Sequence, residues 1–186
     1  MSIKTIALLT VLGCFIVGVK AQVFISKEKS EISFFSEAIM ENIEAINRKS
    51  SCVLNSETNQ LVFKVPIGAF EFEKDLMKEH FNENYMETEK FPQSTFKGTI
   101  SGDIDYTKDG TYPAKAVGKL VIHGVEKDRT MEGNVVVKDG TISLVSELMV
   151  KLADHDIAIP KVVVKNIAEE VLVKIKADFI PYEKKK

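Results

Sequence analysis

The chain has 186 residues, 45% of them hydrophobic, and its 25 basic and 27 acidic side chains leave a formal net charge of −2. That balance argues against nucleic acid or an anionic membrane surface as the main partner. No linker, repeat or low-complexity stretch interrupts the sequence, and its length suits one domain.

Residues 1–21 read as a signal peptide. Lys4 supplies the positive start, Ile6 to Val19 is apolar, and Val19-Lys20-Ala21 offers a small-residue cleavage site. The apolar run falls short of the roughly 20 residues a membrane span needs. Val11-Leu12-Gly13-Cys14 looks like a lipobox, but apolar Phe15-Ile16-Val17 follows where a lipoprotein turns polar. Soluble secretion, extracellular or periplasmic, is therefore expected over lipidation. The leader carries Lys4, Lys20 and no acidic residue, so its removal takes the charge from −2 to −4. Cys52 is then the one remaining cysteine, which leaves no intramolecular disulfide and a fold held by its core. Flanked by Val53 and Leu54, it reads as a small buried filler.

The mature chain, 22–186, alternates apolar and polar residues in the manner of half-buried strands. The runs Glu31 to Ser36 and Ile43 to Leu54 come first, the second with a polar centre at Asn47-Arg48-Lys49-Ser50. Leu61, Phe63, Val65 and Ile67 share one strand face. Leu76, Met77, His80, Phe81 and Tyr85 instead fall on one side of a 3.6-residue period, which predicts an amphipathic helix over about 75–87, ended by Phe91-Pro92. Strand patterns resume with Phe96, Ile100 and Ile104, then Gly118, Leu120 and Ile122, then Gly133, Val135 and Val137. Asp139-Gly140 is a strong hairpin signal, with Lys108-Asp109-Gly110 and His123-Gly124 as further turns. Ile142, Leu144 and Leu148 follow it, and Val171, Val173, Ile175, Ala177 and Phe179 make the cleanest strand face.

About eight strands joined mostly by short turns, with one helix, predict an antiparallel sheet. Closure into an eight-stranded barrel removes its exposed edges, and the helix can cover one end. Such a barrel is either filled by its own side chains or holds one ligand, and the residues leave both options open. Glycines 98, 102, 118 and 133 on inward faces would leave room for a cavity.

Catalytic signatures are lacking: there is no nucleophile elbow, phosphate loop or dinucleotide fingerprint. His80, His123 and His155 show no metal-ligand spacing. They define a rival reading, a metal-assisted hydrolase, which requires the three imidazoles to converge within about 4–5 Å. The spacing around His155, between Asp154 and Asp156, suggests an exposed loop, and His80 reads as partly buried with one hydrogen bond. A second rival is a filled barrel acting as an envelope or stress-related interaction module.

The stretch LMKEHFNENYMETEKFPQSTFKG, from Leu76 to Gly98, together with SEISFFSEAIMENIEAIN, GKLVIHGVEK and LADHDIAIP, resembles the YceI-like family of secreted, lipocalin-like proteins. The resemblance implies an extended antiparallel barrel whose apolar interior sequesters a long isoprenoid lipid, with no cofactor or catalytic residue. On that basis the candidate ligand-binding residues are Ile32, Phe34, Phe63, Val65, Phe96, Ile100, Leu120, Ile122, Val135, Leu144, Val173, Ile175 and Phe179 on strands. Leu76, Met77, His80 and Phe81 join them on the helix, which would gate the opening. Met77 and Met86 suit an adaptable mouth, and Asn47, Arg48, His80 and Asn84 are candidates for contacting a polar head group. The chain departs from relatives in having no tryptophan and in placing Lys78 where an arginine is common. Natural ligand and oligomeric state, a homodimer included, stay open.

Overall fold

A computed structural model describes residues 22–27, 30–37, 42–159 and 167–182. The predicted signal peptide, with Cys14, lies outside them. Eleven strand segments form one antiparallel sheet: β1 (Val23–Lys27), β2 (Ser30–Ser36), β3 (Ile43–Asn47), β4 (Ser51–Asn55), β5 (Gln60–Pro66), β6 (Glu71–Phe72), β7 (Gln93–Ser101), β8 (Gly110–Ile122), β9 (Val125–Lys138), β10 (Thr141–Lys151) and β11 (Glu170–Pro181). The sheet closes because β1 pairs with both β4 and β11. The ring β1-β4-β5-β7-β8-β9-β10-β11 is the expected eight-stranded barrel. The pairs β2–β3 and β3–β6 extend three of its staves beyond the ring.

The polar centre at 47–50 is where one long strand bends into β3 and β4. Asn47 is fully buried; its Nδ2 donates to the Pro66 carbonyl at 2.7 Å, and its Oδ1 accepts from the Lys49 N–H and the Ser50 hydroxyl. The Ser30 hydroxyl donates to the Ser50 carbonyl at 2.8 Å. Buried polar atoms need such partners, so this corner is a structural pin. Asn47 is therefore not at a pocket entrance, contrary to expectation. Arg48 is turned outward to Glu31 and Glu71.

The two ends of the barrel differ. At the end bearing the Asp139-Gly140 hairpin, Leu54, Leu61, Ile100, Val135, Ile142 and Phe179 are almost wholly buried and interlock. Three of the glycines expected to make room mark tight strand contacts instead. A Cβ added at Gly98, Gly118 or Gly133 would lie 2.2–2.5 Å from a carbonyl oxygen of the neighbouring strand. Gly102, at φ +145°, ends β7. Cys52 is a buried filler, as predicted, and burial pushes its thiol well above the ordinary range.

At the other end lies the helix α1 (Asp75–His80), continued by a π-helical turn (Phe81–Tyr85) in which the Met86 N–H donates to the Phe81 carbonyl. The helix is shorter than expected and stops before the proline: Glu87 turns the chain at φ +41°. The Pro92 carbonyl instead accepts from the Ile67 N–H, just before β7. No described helix is long and apolar enough to cross a membrane.

Candidate ligand cavity

Above the packed half, the barrel encloses a cavity of about 760 Å³, within the range of roughly 300–1,000 Å³ seen for ligand pockets. Strand alternation builds its wall, because each stave turns every second side chain inward. β2 contributes Ile32 and Phe34, β5 Phe63 and Val65, β7 Phe96, β8 Leu120 and Ile122, and β11 Val173 and Ile175. The helix contributes Leu76, Met77, His80 and Phe81, and Tyr85 and Met86 follow. Leu76, which would be buried in a packed helix interface, stays 59% exposed at this mouth.

Four candidates fall elsewhere. Ile100, Val135 and Leu144 surround a void of only about 20 Å³ in the packed half, and Phe179 is 1% exposed beyond it. They fill the packed half beneath the cavity and do not line it. Alternation identified their inward face, but depth along the barrel depends on which neighbours fill the ring around them.

Several lining residues were missed. Phe70 and Phe72 join Phe34 and Phe81 in a cluster with ring centroids 5.0–5.9 Å apart, and the alternation Phe70-Glu71-Phe72 was the available signal. Met131, Leu148, Val150, Leu152, Ile157, Ile167 and Val171 also line the space, as do Ile43 and Ile67. Of these, Met131 continues the inward face of Val135, and Leu148 and Val150 that of Leu144. The turn residues Leu152 and Ile157 carried no periodic signal.

Polar groups at the cavity are few: Ser36, Lys74, His80, Tyr85, Ser94 and Thr95. The Ser36 hydroxyl accepts from the Ala168 N–H at 3.0 Å, and burial raises the Tyr85 phenol. The buried Ser94 hydroxyl has no partner among the described residues. Asn84 is exposed on the turn and does not line the cavity.

The histidines do not assemble as the hydrolase reading requires. His80 is exposed on the helix at the cavity mouth. His155 is fully buried rather than an exposed loop residue; its Nδ1 lies 3.3 Å from the Val125 carbonyl, and desolvation lowers its proton affinity. His123 Nδ1 lies 3.1 Å from the His155 carbonyl, and its Nε2 is 3.1 Å from Glu87 Oε2. Phe91 packs edge-on against the same ring. No group of three or more metal-ligating side chains occurs among the described residues. The filled-barrel reading holds only for the hairpin half.

A closed antiparallel barrel, packed at one end and hollow and apolar at the other, is a lipocalin-like architecture. The chain belongs to the YceI-like family, whose domain matches residues 24–179. The structure is similar to a polyisoprenoid binding domain from Saccharophagus degradans implicated in plant cell wall breakdown. That match has a TM-score of 0.74 and 14% identity over 88% of this chain and 100% of the other. It is also similar to BcnA from Burkholderia cenocepacia, with a TM-score of 0.68 and 17% identity over 82% and 98% of the two chains. A third similarity is to the YCEI protein of Campylobacter jejuni, with a TM-score of 0.55 and 18% identity over 98% and 100%. At such identities these likenesses bear on the fold alone. No curated protein sequence matches the chain.

Proposed function

We propose that this protein sequesters a long apolar lipid, of isoprenoid type, in the hollow half of its barrel, and that it does so outside the cytoplasm after removal of residues 1–21. The observation that carries the reading is the 760 Å³ cavity with its almost unbroken apolar wall. A compact body of that volume has a surface of roughly 400 Å², and burying it at about 25 cal/mol per Å² contributes about 10 kcal/mol before association costs. The candidates at the cavity supply that surface, and the polar outer strand faces keep the loaded barrel in water. The isoprenoid class is supported by the family and by the name of the Saccharophagus relative.

The test is organic extraction of the purified mature protein followed by mass spectrometry, with uptake of polyprenyl compounds by the stripped protein. A long apolar lipid in the extract and saturable uptake are expected. An empty extract together with no uptake refutes the reading.

A further inference from the structure

The ring of backbone hydrogen bonds has a seam. β9 and β10 pair from Lys138↔Thr141 to Ser146↔Gly133, and their ladder stops there. Both strands continue: β9 stays paired with β8 as far as Val125, and β10 with β11 as far as Lys151. Each keeps its other neighbour and loses this one. The split begins where the strands are pinched together. Gly133 approaches so closely that a Cβ would sit 2.3 Å from the Val145 carbonyl oxygen, and the Ser146 hydroxyl donates to the Glu132 carbonyl at 2.7 Å. A side chain thus takes the place of the next backbone rung.

The turn at residues 152–157 closes the seam. Its Leu152 and Ile157 line the cavity beside Met131 of β9 and Leu148 of β10. The Leu152 N–H donates to the Glu169 carbonyl at 2.9 Å, and three polar contacts fasten the turn to β9 and the β8–β9 turn. Arg129 Nη2 donates to Asp154 Oδ2 at 2.7 Å, His155 Nδ1 lies 3.3 Å from the Val125 carbonyl, and His123 Nδ1 lies 3.1 Å from the His155 carbonyl. Between β1 and β4, β4 and β5, β5 and β7, β7 and β8, β8 and β9, and β10 and β11, parting two staves means breaking a continuous ladder, with every exposed rung left to find water; β1 meets β11 over only two residue pairs, Phe24↔Pro181 and Ile25↔Ile180, next to the buried Phe179 of the packed half. At the seam between β9 and β10 it means releasing one turn. Moving the helix instead would break the cluster in which Phe81 packs against Phe34, Phe70 and Phe72 of the barrel rim.

We propose that the apolar ligand enters and leaves sideways between β9 and β10, with the turn at 152–157 as the shutter. A slot along the stave admits a long flexible chain side-on and leaves the aromatic cluster undisturbed. This inference rests on the lipid-binding reading above.

The test uses the full mature chain and a pyrene-labelled farnesyl probe. Arg129→Cys with Asp154→Cys, in a Cys52→Ala background, is bridged by a reducible bis-thiosulfonate linker of about the length of the Arg–Asp pair. Stopped-flow fluorescence reads uptake, and transfer to phosphatidylcholine vesicles reads release. Bridging is expected to slow both by at least about tenfold, with equilibrium binding unchanged and reductant restoring the rates. The single variant Asp154→Asn, which keeps the fold without a linker, is expected to speed release about two- to fivefold. Unchanged rates in both variants, with the probe still bound, overturn the side portal and leave the binding reading intact. Failure of the unmodified protein to bind the probe refutes the binding reading itself, and the portal with it.

Discussion

Leu54 and Leu120 allow one substitution to measure the two halves of the barrel. Leu54 is 0% exposed in the packed half, whereas Leu120, at 8%, forms part of the cavity wall. Leu→Ala removes the same atoms at both sites, so the loss of transfer free energy is similar. The costs diverge in what surrounds the deleted atoms. At Leu54 the vacated space is a new void with walls on every side, and such changes cost about 4–5 kcal/mol. At Leu120 the space merges with a cavity that already lacks partner atoms on one side, which leaves mainly the transfer cost, about 2 kcal/mol. A gap of about 2 kcal/mol corresponds to about 4–8 °C in Tm for a domain of this size. Urea and thermal unfolding of the lipid-stripped protein measure it. Adding the lipid should narrow the gap, because Leu120 then regains neighbours that Ala cannot touch. Equal costs at the two sites in the stripped protein would show that the helix end is packed shut, and the carrier argument would fail.

Three further outcomes follow from the same contacts. His155 holds its proton less tightly when folded than the ordinary imidazole does, chiefly through desolvation. The unfolded chain therefore takes up the proton first, and stability should be level above about pH 6.5 and fall as the pH drops through that value; urea midpoints from pH 8 to 5 should show the fall, and His155→Phe should flatten it. Gly118→Ala would put a Cβ 2.2 Å from the Lys97 carbonyl oxygen, so it should lower the midpoint by several times the roughly 0.5–1 kcal/mol that backbone stiffening could return; a neutral or stabilised variant would contradict the strand spacing. Cys52, buried and with its thiol pushed well up, should label with maleimide only at the rate of unfolding, and rapid labelling of native protein would place it elsewhere.

Much of the barrel was legible because strand alternation is a local signal. The faces Val171-Val173-Ile175-Ala177-Phe179 and Phe63-Val65, together with the Asp139-Gly140 turn at φ +50° and +75°, carry their information within a few residues. The helix stripe was legible for the same reason, though its length was not. A π-helical turn after His80 and the left-handed Glu87 stop it, and nothing in the hydrophobic period marks either. Asn47 shows the opposite failure. Its polar character was visible, but its partner Pro66 arrives only through the tertiary fold, so a buried pin read as a head-group contact.

By itself, the sequence determined which faces of the strands turn inward, that one amphipathic helix interrupts them, and that the chain carries a family pattern. The tertiary structure alone decided where along the barrel the inward side chains meet and where they leave a void. Ile100 and Ile122 read identically as alternating strand residues; one is wedged among Val135, Leu144 and Leu61, while the other faces open space. The physical reason is that alternation is written into neighbouring residues, whereas packing density is set by side chains brought together across the ring from distant parts of the chain.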